Sequence, residues 1–497
     1  MNRAIQSHSP VPELAPSQLW SEKVYVGGWG PSGAGTIEVT EKATGKIIGT
    51  IGRASAEDVA RAASMARDAQ PAWAALPSPE RGDILRTVSR LIQEHSAEIC
   101  VQLVRETGAI APKAHVEVEL AAREVLEAAA LATQPPGLLL ASATATRRSI
   151  ARRIPMGIVG AIVPWNSPFL LALRALGPAL ATGNAVLLKP DPQSPICGGV
   201  FFAQLFEAAK LPRGLLHVLP GGAETGEALV RDPLVKMISF TGSSRTGRQV
   251  GATAGGLLKR VSLELGGSNP YIVLDDANVE AAAGAGSFGS FFHQGQICMS
   301  VGCHIVHEGI VAGYTDNLVR RAQALRVGDP SRGEVHLGPL INERQAANVE
   351  RIIRESVAQG ARLLTGGNRR GLFFEPTVLD HVRPGMPVFN EEIFGPVAPI
   401  VSFRTDEEAI ELGNGTEYGL SAAVVSPNLA RAQRIADRLH SGMVHINDQT
   451  LIHEVYGPIG GIGASGNGYK YSSVTNADLF TEWQWLTIQS EVPRYPF

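Results

Sequence analysis

Apolar residues recur at helical spacing from residue 55 to residue 107, and this pattern predicts two amphipathic helices. Ser78-Pro79-Glu80 reads as the start of the second, with Ser as the cap and Pro in the first turn. Residues 116–133 predict a further helix, ending before Pro135-Pro136-Gly137. From residue 157 the period changes. Short apolar runs at 158–163, 185–188, 215–219, 237–240 and 261–265 alternate with helical segments, one starting at Pro168 and one over 195–209. A second alternating set runs from about 271 to 445, with strands at 271–274, 304–306, 398–403, 422–426 and 443–447. Such alternation implies a parallel sheet covered on both faces. Two α/β domains are therefore predicted. Two segments fall outside this plan. Residues 138–154 are strand-like and carry Arg147, Arg148, Arg152 and Arg153, and 479–491 reads as one long strand with Trp483 and Trp485. A strand edge bearing aromatics needs a partner, which predicts an oligomer.

Composition narrows the picture. A chain of 497 residues exceeds what one core holds. With 44% hydrophobic and 18% charged residues it reads as globular, which argues against a disordered or fibrous chain. A net charge of -3 and the lack of a basic stripe argue against nucleic acid as a partner. The first 25 residues hold no apolar core of signal-peptide type. The longest apolar run, 170–186, is broken by Arg174, Gly177, Pro178, Gly183 and Asn184, so no membrane span is expected. The four cysteines, Cys100, Cys197, Cys298 and Cys303, form no C-x-x-C pair. Their spacing fits neither a disulfide framework nor a zinc site, which points to a reducing cytoplasm and no metal.

The sequence matches G-x-G-x-x-G twice, and neither match has the strand-then-helix setting of a dinucleotide site. Gly28 to Gly33 is followed by the strand-like Thr36-Ile37-Glu38-Val39 and reads as a hairpin turn. Gly284 to Gly289 lies inside a small-residue helix. Four other segments stand out. Phe291-Phe292-His293-Gln294-Gly295-Gln296-Ile297-Cys298 sets a thiol after a polar, Gly-containing turn. Leu263-Glu264-Leu265-Gly266-Gly267 puts a carboxylate at a strand end. Glu391-Glu392-Ile393-Phe394-Gly395-Pro396 is a loop with two carboxylates beside a ring. Pro164-Trp165-Asn166-Ser167-Pro168 sits where a parallel strand meets its helix, the end at which open α/β sheets bind ligands. Singly, each has an ordinary structural explanation: a buried thiol, a strand-end ion pair, a solvated loop, a helix cap.

Together and in this order, the four segments resemble the aldehyde dehydrogenase superfamily, over nearly the whole chain from about residue 20. The resemblance implies an NAD(P)-binding α/β domain (1–135 and 155–262), a catalytic α/β domain (263–465), and a small β oligomerisation flap (136–154 and 466–497). It implies Cys298 as nucleophile, the Asn166 amide and the Cys298 N–H as oxyanion donors, and Glu264 as the base that activates water. Glu392 would hold the nicotinamide ribose with Phe394 beside it, Lys189 the adenosine ribose, and Gly242 and Ser243 the pyrophosphate at a helix N-terminus. Pro164, Trp165, Pro192, Gly222 and Leu265 complete the implied cofactor set. Cys303 reads as core, and His293 as structural or pocket-lining, since no third group orients it for hydrolase chemistry.

One departure concerns the cofactor. Many family members carry an acidic residue three positions after the cofactor lysine, where it repels a 2′-phosphate. Here that position is Pro192, and NAD use with tolerance for NADP is expected unless Asp191 turns inward. In particular the chain resembles bacterial benzaldehyde dehydrogenases, through Lys189-Pro190-Asp191-Pro192-Gln193, Ile446-Asn447-Asp448-Gln449-Thr450, Gly463-Ala464-Ser465-Gly466-Asn467-Gly468 and the tail 480–486. Ile459 and Ser167 stand where relatives carry Phe, which widens the expected tunnel. Leu170, Leu171, Phe292, Ile452 and His453 are further lining candidates. Arg174 is either a contact for a polar substituent or a helix-surface cation. The resemblance implies a small-molecule aldehyde as partner and a homodimer or homotetramer. Rival readings are an aliphatic or semialdehyde dehydrogenase of the same mechanism, a silent cofactor-binding protein, and a cysteine hydrolase. The last explains neither Lys189, Ser243 nor Glu392.

Overall fold

The computed structural model describes residues 13–497. Two seven-stranded sheets dominate. The first runs, by position, Arg260–Glu264, Met237–Thr241, Ile158–Ile162, Ala185–Lys189, Leu216–Val218, Lys23–Val26, Trp29–Pro31. Its first five strands are parallel, and the N-terminal hairpin adds antiparallel to the edge. The second runs Arg362–Thr365, Thr377–Asp380, Val397–Phe403, Val301–His307, Asn269–Val273, Ser421–Val425, Met443–Ile446. All its neighbours are parallel except the edge strand Arg362–Thr365. The inner strands Ile158–Ile162, Ala185–Lys189 and Asn269–Val273 are buried at every position, as apolar runs under helices on both faces must be. A third sheet pairs Thr481–Ile488 with Arg148–Pro155 over eight antiparallel positions and adds Gly137–Leu140.

Several boundaries differ from the sequence reading. Residues 55–107 form three helices, Ala56–Ala75, Ser78–Glu94 and Ser96–Thr107. The break between the last two is the single residue His95, too short to disturb the apolar period. Ser78 opens its helix rather than capping it, because Pro77 occupies the cap. The true side-chain cap lies upstream, where Ser55 and Asp58 close a capping box. The helix read from 116 begins at Ala111, and the one read over 195–209 is a π turn, Ile196–Val200, leading into Phe201–Ala208. The C-terminal strand is shorter than expected, Thr481–Ile488, and follows a one-turn helix, Asn476–Phe480. The first G-x-G-x-x-G match lies in a hairpin whose turn is Gly27-Gly28, both at positive φ. The second lies within the helix Val279–Phe291. Among the described residues, no helix is long and apolar enough to cross a membrane.

Candidate active site

Strand Ile158–Ile162 has Ala185–Lys189 on one side and Met237–Thr241 on the other, so the chain order reverses there. Such a switch point opens a crevice at the carboxyl ends of the strands. Four candidate segments emerge at those ends. Pro164-Trp165-Asn166 follows the first strand, Lys189 ends the second, Gly242-Ser243 follows the third, and Glu264 ends Arg260–Glu264.

Lys189 is buried, not a surface charge, and its ammonium makes one 3.4 Å bond, to the Pro190 carbonyl. Burial lowers its pKa against the pull of Asp191 and Glu224. Asp191 is turned inward. Its carboxylate accepts the Gln193 N–H at 2.9 Å, and burial raises its pKa while Lys189 and Lys42 oppose. Pro192, beside it, is partly exposed. Ser243 caps the helix Ser244–Gly256, and Gly222 stands at the cap of Ala223–Arg231. Leu265 is buried against Gly247 of the first of these helices. A buried lysine with spare donors and two helix N-termini at one crevice suit a dinucleotide's hydroxyls and phosphates.

Trp165 meets Phe394 edge-on at 5.4 Å. Phe394 is held at φ +50°, a strained conformation for a bulky residue, by Gln345, whose amide donates to the Ile393 and Phe394 carbonyls at 3.1 and 3.0 Å. Glu392 accepts the Gly267 N–H at 3.1 Å, and a Cβ on Gly266 would collide with its carboxylate. Burial lifts Glu392 to about 7. Glu391 faces the other way and pairs with Arg351 at 2.5 Å.

The turn before Cys298 is strained. His293, Gln294 and Gly295 lie at φ +53°, +58° and +68° in succession. Side chains hold it there: Gln294 donates to the Gly108 and Pro339 carbonyls, and Gln296 accepts the Ile341 N–H at 3.0 Å. Asn269, the first residue of its strand, donates to the Cys298 and Ser300 carbonyls at 2.9 and 2.7 Å, and the Thr450 hydroxyl donates to Met299 at 2.6 Å. Cys298 is partly exposed, whereas Cys100, Cys197 and Cys303 are buried. Its thiol is pushed up to about 12 by burial and by the Glu392 and Glu264 carboxylates, with Arg174 and the Met299 amide opposing. Glu264 is buried, and its Oε1 has no hydrogen-bond partner among the described residues. A Cβ on Gly460 would lie 2.6 Å from that oxygen. Burial raises Glu264 to about 8, against Arg174 and Lys470. Asn166 is buried and its Nδ2 donates to the Gln296 carbonyl at 2.9 Å, which ties it to the Cys298 turn.

Of the lining candidates, Leu170 and Leu171 are buried in the first turn of Pro168–Ala181, and Ser167, at its cap, is partly exposed. Ile459 is buried and bridges to Tyr471, next to Gly460 and therefore near Glu264. Ile452 lies between Thr450, bonded to Met299, and His453. Phe292 is partly exposed and stacks at 4.7 Å on Phe288, which is half exposed. Arg174 is no surface cation. It is buried, within 3.1 Å of His453 and 3.7 Å of Glu124, with its charge felt at both Glu264 and Cys298. His293 is buried and its Nε2 bonds the Asn166 carbonyl at 3.0 Å, so it is committed to structure. The sequence reading missed Lys113, Glu117, Glu124 and Asn269. Lys113 and Glu117 carried a signal, opposite charges four apart on a helix, but that spacing usually marks a solvated face.

The fold and these groups define an oxidoreductase of the thiol-dependent kind. Residues 29–486 match the aldehyde dehydrogenase family, and the chain belongs to it. It is 46% identical to a vanillin dehydrogenase of Amycolatopsis sp., over 97% of this chain and 99% of that one. It is 44% identical to a benzaldehyde dehydrogenase [NAD(+)] of Pseudomonas putida, over 98% and 100%. The structure of betaine aldehyde dehydrogenase from Staphylococcus aureus in complex with NAD+ superposes with a TM-score of 0.93 at 29% identity, covering 97% of each chain. The family expectation and its fold are thus correct, and use of a nicotinamide dinucleotide is typical of it.

Proposed function

We propose that the enzyme oxidises an aromatic aldehyde of the benzaldehyde or vanillin type to its acid, with NAD as the preferred cofactor. The observation that carries this reading is the likeness to two aromatic aldehyde dehydrogenases along almost the whole chain. Arg174 weighs in the same direction. Its charge faces Glu124 at 3.7 Å, with His453 3.5 Å from that carboxylate, which offsets the attraction it would offer an acidic semialdehyde, although its Nε makes no hydrogen bond among the described residues.

The chemistry follows from the residues. The partly exposed Cys298 thiol gives its proton to solvent, the resulting thiolate adds to the aldehyde carbon, and the carbonyl oxygen becomes an oxyanion. The Asn166 side-chain amide and the Cys298 N–H donate to it. Lys189, Ser243, Gly242 and Glu392 would hold the dinucleotide, with Pro164, Trp165, Phe394 and Leu265 packing around it. Bound there, it supplies the hydride acceptor. Hydride loss leaves a thioester on Cys298. Glu264 takes a proton from water, the hydroxide adds to the thioester carbon, and acid and thiolate separate. The oxygen of Glu264 that lacks a partner is free to receive that proton.

A panel of ring, aliphatic and acidic aldehydes, each with NAD and NADP, tests substrate and cofactor together. Benzaldehyde and vanillin should exceed hexanal and succinate semialdehyde in kcat/KM by about tenfold or more, the scale of pocket discrimination. A preference for the acidic aldehyde would overturn the aromatic reading. For the cofactor, a like charge at about 4 Å costs about 4 kcal/mol, or about a thousandfold. Pro192 removes the family carboxylate, while the inward Asp191 is shared with Lys189 and Lys42. NAD should therefore be favoured over NADP, by less than that factor. A larger ratio, or none, contradicts this.

The three-stranded sheet supports an oligomer of identical chains. Leu138 is 57%, Trp485 71% and Trp483 49% exposed on one face of it, an apolar surface that an isolated chain would leave in water. Light scattering should give a dimer or tetramer, and Trp485→Glu should shift it towards monomer. A monomeric parent would refute this.

A further inference from the structure

Lys113 and Glu117 lie on the helix Ala111–Leu131, 3% and 2% exposed, and form an ion pair with each other. Neither is within the crevice, yet both reach it. Lys113 Nζ donates to the Asn166 main-chain carbonyl at 2.7 Å. Glu117 Oε1 accepts the Phe169 and Leu170 N–H groups at 2.9 and 3.3 Å, the first-turn amides of Pro168–Ala181. The same Asn166 carbonyl accepts a second bond from His293 Nε2, on the strained turn that leads to Cys298. Asn166 Nδ2 closes the loop by donating to Gln296 of that turn. Segment 166–170 is thus gripped at its carbonyl and at its helix amides by one buried pair, and fastened to the nucleophile's turn twice.

Such a pair is a costly way to gain stability. Two charges removed from water recover their desolvation only in good geometry, and apolar residues of like size often do as well. What the pair supplies instead is direction. A carboxylate on two free helix amides and an ammonium on the preceding carbonyl fix the backbone that aims the Asn166 side chain. A small misplacement of an oxyanion donor costs rate rather than affinity.

We propose that Lys113 and Glu117 are positioning residues that hold the Asn166 amide on the reacting carbonyl oxygen, with His293 fixing the same peptide from the Cys298 side. This rests on the reading of Asn166 as an oxyanion donor.

A double-mutant cycle on the single-turnover hydride-transfer rate, with benzaldehyde and NAD as probes, tests it. Asn166→Ala should slow that step by about 10²–10³-fold. Lys113→Met/Glu117→Gln, which leaves no uncompensated buried charge, should slow it at least about tenfold, with KM and the rate of Cys298 alkylation by iodoacetamide little changed. In the Asn166→Ala background the pair substitution should then cost less than about threefold, because the group it aims is gone. Lys113→Arg should recover part of the loss. Factors that multiply in the combined variant, or a pair variant as fast as the parent, overturn the proposal. Asn166→Ala as fast as the parent overturns the oxyanion reading and this inference with it, and that failure shows in the single variant. Should Lys113→Met/Glu117→Gln melt below assay temperature, the equally neutral Lys113→Gln/Glu117→Gln carries the same cycle.

Discussion

Cys298→Ala should lower aldehyde-dependent reduction of NAD by about four to six orders of magnitude, the scale on which removal of a covalent nucleophile acts. The fold should not suffer. Cys298 is partly exposed, its carbonyl is held by Asn269, and its turn is anchored by Gln294 and Gln296, none of which involves the thiol. A methyl in place of the sulfur removes the bond-forming atom and little packing. The matched control is Cys303→Ala. That thiol is buried in Val301–His307, and burial raises its pKa further from the thiolate form. Its replacement should cost stability and leave turnover per folded enzyme within about threefold. NADH formation that survives in Cys298→Ala would refute the mechanism.

Glu264→Gln should separate the two halves of the reaction. Thioester formation needs no base at Glu264, so a stopped-flow trace should show a burst of about one NADH per active site. Hydrolysis then stalls, and steady turnover falls by about 10²–10⁴, the usual worth of a positioned base. The pH profile carries the same information. Burial raises the Glu264 carboxyl to about 8, so the base form is lost as pH falls below that value. Where hydrolysis limits, kcat should drop about tenfold per pH unit beneath it and level off above. Glu264→Gln should abolish that limb. An unchanged profile in the variant would assign the base elsewhere, with Glu392, at about 7, the next group to test.

Much of this site was legible because its residues stand at strand ends. Glu264 closes Arg260–Glu264 and Asn166 follows Ile158–Ile162, so apolar runs point to both, whereas Lys189, which closes Ala185–Lys189, is marked only by the resemblance to the family. The two G-x-G-x-x-G matches were set aside for the same reason, by what flanks them. What the sequence concealed is contact between distant segments. Lys113 and Asn166 are 53 residues apart, and Arg174 and His453 are 279 apart. An arginine on an apolar helix reads as a surface charge until Glu124 and His453 are placed beside it. The inward turn of Asp191 is likewise a matter of loop conformation, fixed by its bond to the Gln193 amide. The stack of Phe292 on Phe288 also joins a residue before the nucleophile to the end of the helix Val279–Phe291.

In the proposed reaction an acyl group derived from an aromatic aldehyde is carried on Cys298. Glu264→Gln, mixed with benzaldehyde and NAD and acid-quenched after the burst, should gain the mass of one benzoyl group. Peptide mapping should place it on the segment containing Cys298. NADH formed without an adduct, or an adduct on Cys100, Cys197 or Cys303, would contradict the account.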